Sequence, residues 1–133
     1  MPRLRTTPAQ QIGDAAESLA AERLMAEGWT ILGRNVRVGR DELDLVATDP
    51  GPPPALVVVE VRRRGRRDFG VAEETLDHRK RVALRRGIAV MMTAGALADG
   101  TPVPRLPVRV DLVAIDAGPD GRTSVRHHRG IRP

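Results

Sequence analysis

The chain has 133 residues, enough for one domain with a single core, and no cysteine, which excludes disulfides, thiolate zinc sites and cysteine nucleophiles together. Its 22 lysine and arginine residues against 17 aspartates and glutamates leave a formal net charge of +5, and a basic surface attracts nucleic acid or anionic lipid. The longest apolar stretch, Ile88 to Ala98, falls short of the roughly 18 residues that cross a bilayer, and no apolar segment follows the N-terminal arginines, so a cytoplasmic protein with no membrane partner is expected.

Residues 1–10 carry Pro2 and Pro8 without a periodic pattern and read as a loose tail. From about Gln11 to Glu27 a helix fits, with Ile12, Ala16, Leu19, Ala20 and Leu24 on one face and a stop at Gly28. Glu17 lies near Ala20, Ala21 and Leu24 on the helical wheel, so it looks partly inward; an ordinary glutamate at the edge of the apolar face has the same spacing. Trp29 to Arg37 reads as a strand, followed by a turn at residues 38–40 and a second strand from Glu42 to Ala47. Period two puts Glu42 and Asp44 on one face of that strand and Leu43 and Leu45 on the other.

Residues 49–54, Asp-Pro-Gly-Pro-Pro-Pro, form a turn that no sheet interior accepts. Beyond it, Leu56 to Arg64 is a strand whose valine run suits burial on both faces. Val58, Glu60 and Arg62 share one face, and Val57, Val59, Val61 and Arg63 the other. Glu60 therefore leaves the core at the end of a central strand. Such a carboxylate is costly to desolvate unless a bound cation, a partner side chain or emergence into water compensates. If pairing is centred on the proline loop, Asp44 falls opposite Glu60, where facing Cβ atoms sit roughly 4.5 to 5.5 Å apart. Two carboxylates that close repel unless one takes a proton or both share a cation. One or two carboxylates plus waters is the set magnesium prefers when its other ligands are phosphate oxygens.

A loop over residues 65–70 holds arginines, Asp68 and Phe69. Ala72 to Thr93 turns helical, with a break near Gly87. After a proline-rich loop, Val108 to Ile115 is a strand that can return parallel to the central one by a right-handed crossover. Thr123 to Arg126 forms a short edge strand in a basic extension, residues 117–133. Asp111 reads as a structural carboxylate paired with a basic neighbour, and adjacent His127 and His128 lie on opposite strand faces or in a tail, a poor geometry for one metal. The order is helix, three-strand antiparallel meander, helix, strand: an α/β sandwich with a mixed sheet, its domain spanning residues 11–116.

Three basic clusters stand out: Arg62, Arg63, Arg64, Arg66 and Arg67; Arg79, Lys80 and Arg81 with Arg85 and Arg86; and the segment from Arg126 to Arg129. Each alone fits a solvated face as well as a binding surface. Together they favour nucleic acid bound through phosphates, in double-stranded or branched DNA, with Arg63, Arg64, Arg66, Arg67, Arg79 and Arg81 as contacts. Base stacking is poorly supplied, because Trp29 and Phe69 are the only aromatics. Lys80 is the one lysine among the 22 basic residues, which makes it a candidate for a compact ammonium near the acidic pair; an exposed helical lysine in a basic cluster is the other, commoner reading.

The acidic pair on the second strand and Glu-x-Arg on the third resemble the PD-(D/E)xK nuclease superfamily, with its restriction-endonuclease-like core. More narrowly, the chain resembles the YraN family of small bacterial proteins, close in fold to Holliday junction resolvases. The match runs through Glu17, Ala20, Leu24 and Gly28; Arg34-Asn35-x-Arg37; Glu42-Leu43-Asp44-Leu45; Val59-Glu60-Val61-Arg62-x-Arg64; Phe69-Gly70; Lys80 with Leu84; and Arg109-Val110-Asp111. The resemblance implies a magnesium- or manganese-dependent endonuclease on structured DNA. Asp44, Glu60 and the Val61 carbonyl would hold the metal, Glu17 and Glu42 would assist, and position 62 would orient water. Resolvase-like folds often act as homodimers because their substrates are two-fold symmetric. Two positions depart from the family pattern: Asp41 where glycine is usual, and Arg62 where lysine is usual. Arginine keeps the charge and cannot serve as a base. A non-catalytic nucleic-acid binder and an assembly scaffold are the alternative readings.

Overall fold

The computed structural model describes residues 8–64 and 76–133, the side chains of residues 8–14 and of Arg64 excepted. The elements are α1 (Pro8–Ala26), β1 (Thr30–Val38), β2 (Asp41–Asp49), β3 (Ala55–Arg64), α2 (His78–Ala94), β4 (Val108–Ala117) and β5 (Thr123–His128). They build one five-stranded sheet in the order β1-β2-β3-β4-β5. The β1–β2, β2–β3 and β4–β5 pairs are antiparallel and β3–β4 is parallel, as expected of a meander followed by a helical crossover.

The valine run of β3 explains the layering. Val57 and Val59 join Ala16, Ala20, Ala21 and Leu24 of α1 in one core cluster, while Leu56 and Val58 join Leu84 and Met91 of α2 in another. The alternation of a single strand thus feeds two apolar layers, one on each face of the sheet.

Several boundaries differ from the sequence expectation, each for a local reason. α1 begins at Pro8 inside the expected tail, since proline fits a first helical turn where its missing N–H would have no partner. α2 begins at His78, because the Asp77 carboxylate accepts from Lys80 N at 2.8 Å and caps the helix. The expected helix start at Ala72, and Arg66, Arg67 and Phe69, lie outside the described residues. Gly87 does not break α2. It is buried where the helix crosses the β1–β2 hairpin, and a Cβ there would stand 3.0 Å from Val38 Cγ2 and 3.3 Å from Leu43 Cδ2. The helix ends at Gly95, whose left-handed φ of 72° lets its N–H reach Met91 O. Residues 117–133 supply β5, which pairs along β4, and Ile131 N then donates to Val110 O.

Strict alternation fails in β2. Leu43 and Leu45, expected on one face, pack in different clusters: Leu43 beneath α2 and Leu45 beneath α1. The strand turns over at the residue between them, Asp44.

Candidate acidic site

Glu60 follows Val58 on the α2 face of β3, at the end of the valine run, and is only 4% exposed. Two cations compensate it. Lys80 Nζ, from the first turn of α2, stands 3.3 Å from Glu60 Oε2, and Arg62 Nε, two residues along the strand, stands 3.5 Å from Oε1. Neither contact is aligned as a hydrogen bond, and Glu60 Oε2 and Arg62 Nε are both buried without one. Burial, and then the charge of Asp44, push the Glu60 carboxyl up to about 7 against the opposing pull of Lys80 and Arg62.

Asp44 reaches the same place from β2. The β2–β3 ladder has Leu45↔Val59 as its last pair in this direction, and one further step sets Asp44 opposite Glu60. The Asp44 side chain continues the ladder in place of backbone: its Oδ2 accepts from Val61 N at 2.9 Å. That leaves its second oxygen for another partner.

The donor set fits a hard divalent cation of the magnesium type. Two carboxylates meet, one of them buried with an oxygen that no donor satisfies, and the strained proton affinity of Glu60 is what a shared cation would relieve. Asp44, Glu60 and the Val61 carbonyl would hold it. Among the described residues no group of three or more His, Cys, Asp or Glu side chains is placed to hold a metal ion, so Glu17 on α1 and Glu42, exposed on β2, do not join the pair as ligands. Such a set is too small for an all-protein cage and leaves positions for water or phosphate.

The basic residues divide. Arg63 at the end of β3 and Arg79 on α2 are exposed. Arg81 is half-buried, with Nε donating to Leu76 O at 2.9 Å and Nη1 to Arg132 O, so its donors hold the C-terminal segment. The Arg64 side chain, Arg66 and Arg67 lie outside the described residues. The first turn of α2 carries His78, Arg79, Lys80 and Arg81 and no acid, an arrangement that the helix dipole disfavours. Asp41 makes a two-pronged pair with Arg86 at 2.8 and 2.7 Å, which pins α2 to the start of β2.

A second charged cluster lies at the other end of β3 and β4. Arg109 bridges Asp49, at 2.9 Å, and the fully buried Asp111, at 2.8 and 3.0 Å. His127 Nε2 and Gly130 N complete the Asp111 shell at 2.8 and 3.0 Å. Burial opposes ionisation of Asp111, but hydrogen bonds from His127, Arg109 and Gly130 outweigh it and hold its carboxyl down at about 2. Asp111 is paired with basic neighbours as expected. The spacing of Arg109 and Asp111, two apart on one strand face, was the signal for this cluster; nothing local marks its remote partners Asp49 and His127. Trp29 is 5% exposed, with the Arg109 and Arg129 guanidiniums 5.5 and 5.6 Å from its ring centre, and so offers no stacking platform.

Comparison with known proteins locates the chain. The model of the uncharacterised protein family UPF0102 matches residues 16–115, which include every residue of the acidic site. A UPF0102 protein of Symbiobacterium thermophilum is 39% identical over 117 residues, 88% of this chain and 92% of its own length. Another, of Roseiflexus castenholzii, is 37% identical over 108 residues, 81% of each chain, and one of Carboxydothermus hydrogenoformans is 32% identical over 122 residues, 92% and 95%. With the family model matched over residues 16–115 and relatives matched across most of its length, the chain belongs to UPF0102, the family known as YraN.

Proposed function

We infer that this protein is a magnesium- or manganese-dependent endonuclease acting on double-stranded or branched DNA. One observation carries the reading: a buried glutamate, with its carboxyl pushed up to about 7, sits beside a second carboxylate and between a lysine and an arginine. A merely stabilising ion pair has no need of the second acid, which raises the cost of burying the first. A divalent cation bound there would supply a polarised water and neutralise charge on the scissile phosphate. The chain's own residues do the rest. Asp44 and Glu60 would hold the cation, the Lys80 ammonium and the Arg62 guanidinium would face phosphate oxygens, and Arg63 and Arg79 would lead the backbone of the nucleic acid to the site. Cations crowded at the start of α2 against the helix dipole are a local rule broken at a site with a use for them.

The two cations at Glu60 also favour a second reading, a DNA-binding protein of the same fold without catalysis, because they compensate the glutamate with no metal. The test is cleavage of duplex, single-stranded, flap and four-way-junction DNA with magnesium or manganese. The nuclease reading expects cleavage that chelator abolishes and that Asp44→Ala and Glu60→Ala each remove. Binding without cleavage on all four substrates selects the second reading, and no binding sinks both.

A further inference from the structure

The acidic pair depends on how Asp44 is aimed, and the aim originates on the neighbouring strand. On β1, Arg34 donates to Ser18 Oγ of α1 at 2.7 Å, whereas Val36, two residues on, packs in the cluster beneath α2. β2 does the same in step, with Leu45 beneath α1 and Leu43 beneath α2. The ladder runs Arg34↔Leu45 and then Val36↔Leu43, so the crossover point in both strands is Asn35 with Asp44. Regular strands keep residues i and i+2 on one face. Here both turn over together across a single residue pair.

Asn35 has the conformation that permits this. Its φ is 48°, and it is the one non-glycine residue with positive φ among the described residues. Asparagine is among the few side chains that tolerate this left-handed region. The result at Asp44 is a side chain sent into neither apolar layer. It lies along the sheet, where its Oδ2 takes the Val61 N–H at 2.9 Å beside Glu60.

We propose that Asn35 is a positioning residue: its left-handed backbone turns β1 and β2 over at Asp44 and so holds the Asp44 carboxylate against Val61 and next to Glu60. The consequence for cation binding rests on the functional reading above; the aiming of Asp44 does not.

The test compares Asn35→Gly, which keeps the left-handed conformation, with Asn35→Val, whose branched Cβ opposes it. Amide hydrogen exchange of the metal-free protein reads the Val61 N–H, with Asp44→Ala setting the value for a lost bond. In Asn35→Gly, Val61 should exchange within about threefold of wild type, and in Asn35→Val about tenfold or more faster, with the Val57 and Val59 amides unchanged. Manganese titration by calorimetry should follow the same order, with Asn35→Val weakened about tenfold. Wild-type Val61 protection in Asn35→Val, loss of protection in Asn35→Gly, or full protection in Asp44→Ala would each overturn the proposal. If Asn35→Val does not fold, Asn35→Ala is judged by the same criteria. Should Val61 behave as expected while no variant, wild type included, binds manganese, the aiming of Asp44 stands and the metal-dependent reading falls.

Discussion

Replacing Glu60 by glutamine should stabilise this protein, and should do so only at neutral to alkaline pH. Glutamine keeps the volume of the side chain and removes its charge. In the folded chain the Glu60 carboxyl keeps its proton up to about 7, against 4.5 for an ordinary glutamate, chiefly because it is buried and then because Asp44 lies beside it. The folded state therefore binds the proton more tightly than the unfolded state. The associated stability is fully present below pH 4.5 and is lost as pH rises through 7. At about 1.4 kcal/mol per pH unit, the wild-type loss by pH 8 is roughly 3 kcal/mol, and at pH 5 it is below about 1 kcal/mol. The variant escapes this loss but takes the counter-charge from Lys80 and Arg62, which are 30% and 32% exposed and can turn to water, so the net gain at pH 8 is about 2 kcal/mol. Urea unfolding of both proteins at pH 5 and pH 8, without metal, measures it. Equal gaps between the two proteins at both pH values, or a wild type more stable at pH 8, would refute the burial and repulsion argument. Manganese at about 100 times its dissociation constant should return roughly 2.7 kcal/mol to wild type and little to the variant.

Three further outcomes are expected. Lys80→Arg should lower metal-dependent cleavage on the order of 100-fold while DNA affinity changes little, because a guanidinium cannot occupy the compact place of the ammonium beside Glu60, and Arg62→Lys should recover part of the loss; cleavage by Lys80→Arg at the wild-type rate would reduce Lys80 to a surface charge. DNA binding measured by fluorescence anisotropy should weaken steeply with salt, with a log–log slope of about −0.9 per phosphate neutralised, and Arg79→Ala should make the slope shallower by about one. Arg109→Ala should cost about 3 kcal/mol in denaturant unfolding at pH 7, because it strands the fully buried Asp111 with fewer donors; the part of stability tied to that low carboxyl is present above pH 3.8 and is lost as pH falls towards 2, so the variant should also respond less to acid.

The central strand and its glutamate were legible because period-two alternation is a property of any extended chain, and the valine run with Glu60 and Arg62 displays it without ambiguity. The β2–β3 register was legible because the proline-rich loop between Asp49 and Ala55 leaves one centre for the hairpin. Lys80 beside Glu60 was reachable by elimination, as the one lysine on the crossover helix. The turnover at Asn35 was not, since period-two reading assumes a uniform strand and asparagine is common in ordinary turns. The start of α2 at His78 was not legible in the apolar pattern, because capping by the Asp77 side chain fixes it. The Asp41–Arg86 pair joins residues 45 apart, a separation over which local pattern carries no information.

The route of the chain through the acidic site divides it by sequence distance. Asp44 and Glu60 belong to one hairpin, closed by a short loop, whereas Lys80 arrives on a later helix that packs on β1 and β2 and so needs that hairpin in place. Local contacts close early and cheaply, and contacts between residues far apart in sequence close later. The hairpin can thus bring its two carboxylates together while both still face water. Desolvation of Glu60 then follows closure of the hairpin, when the compensating ammonium comes with the layer that removes the solvent. A cost met that late bears on the unfolding rate more than the folding rate, so Glu60→Gln should slow unfolding at pH 8 and leave refolding nearly unchanged.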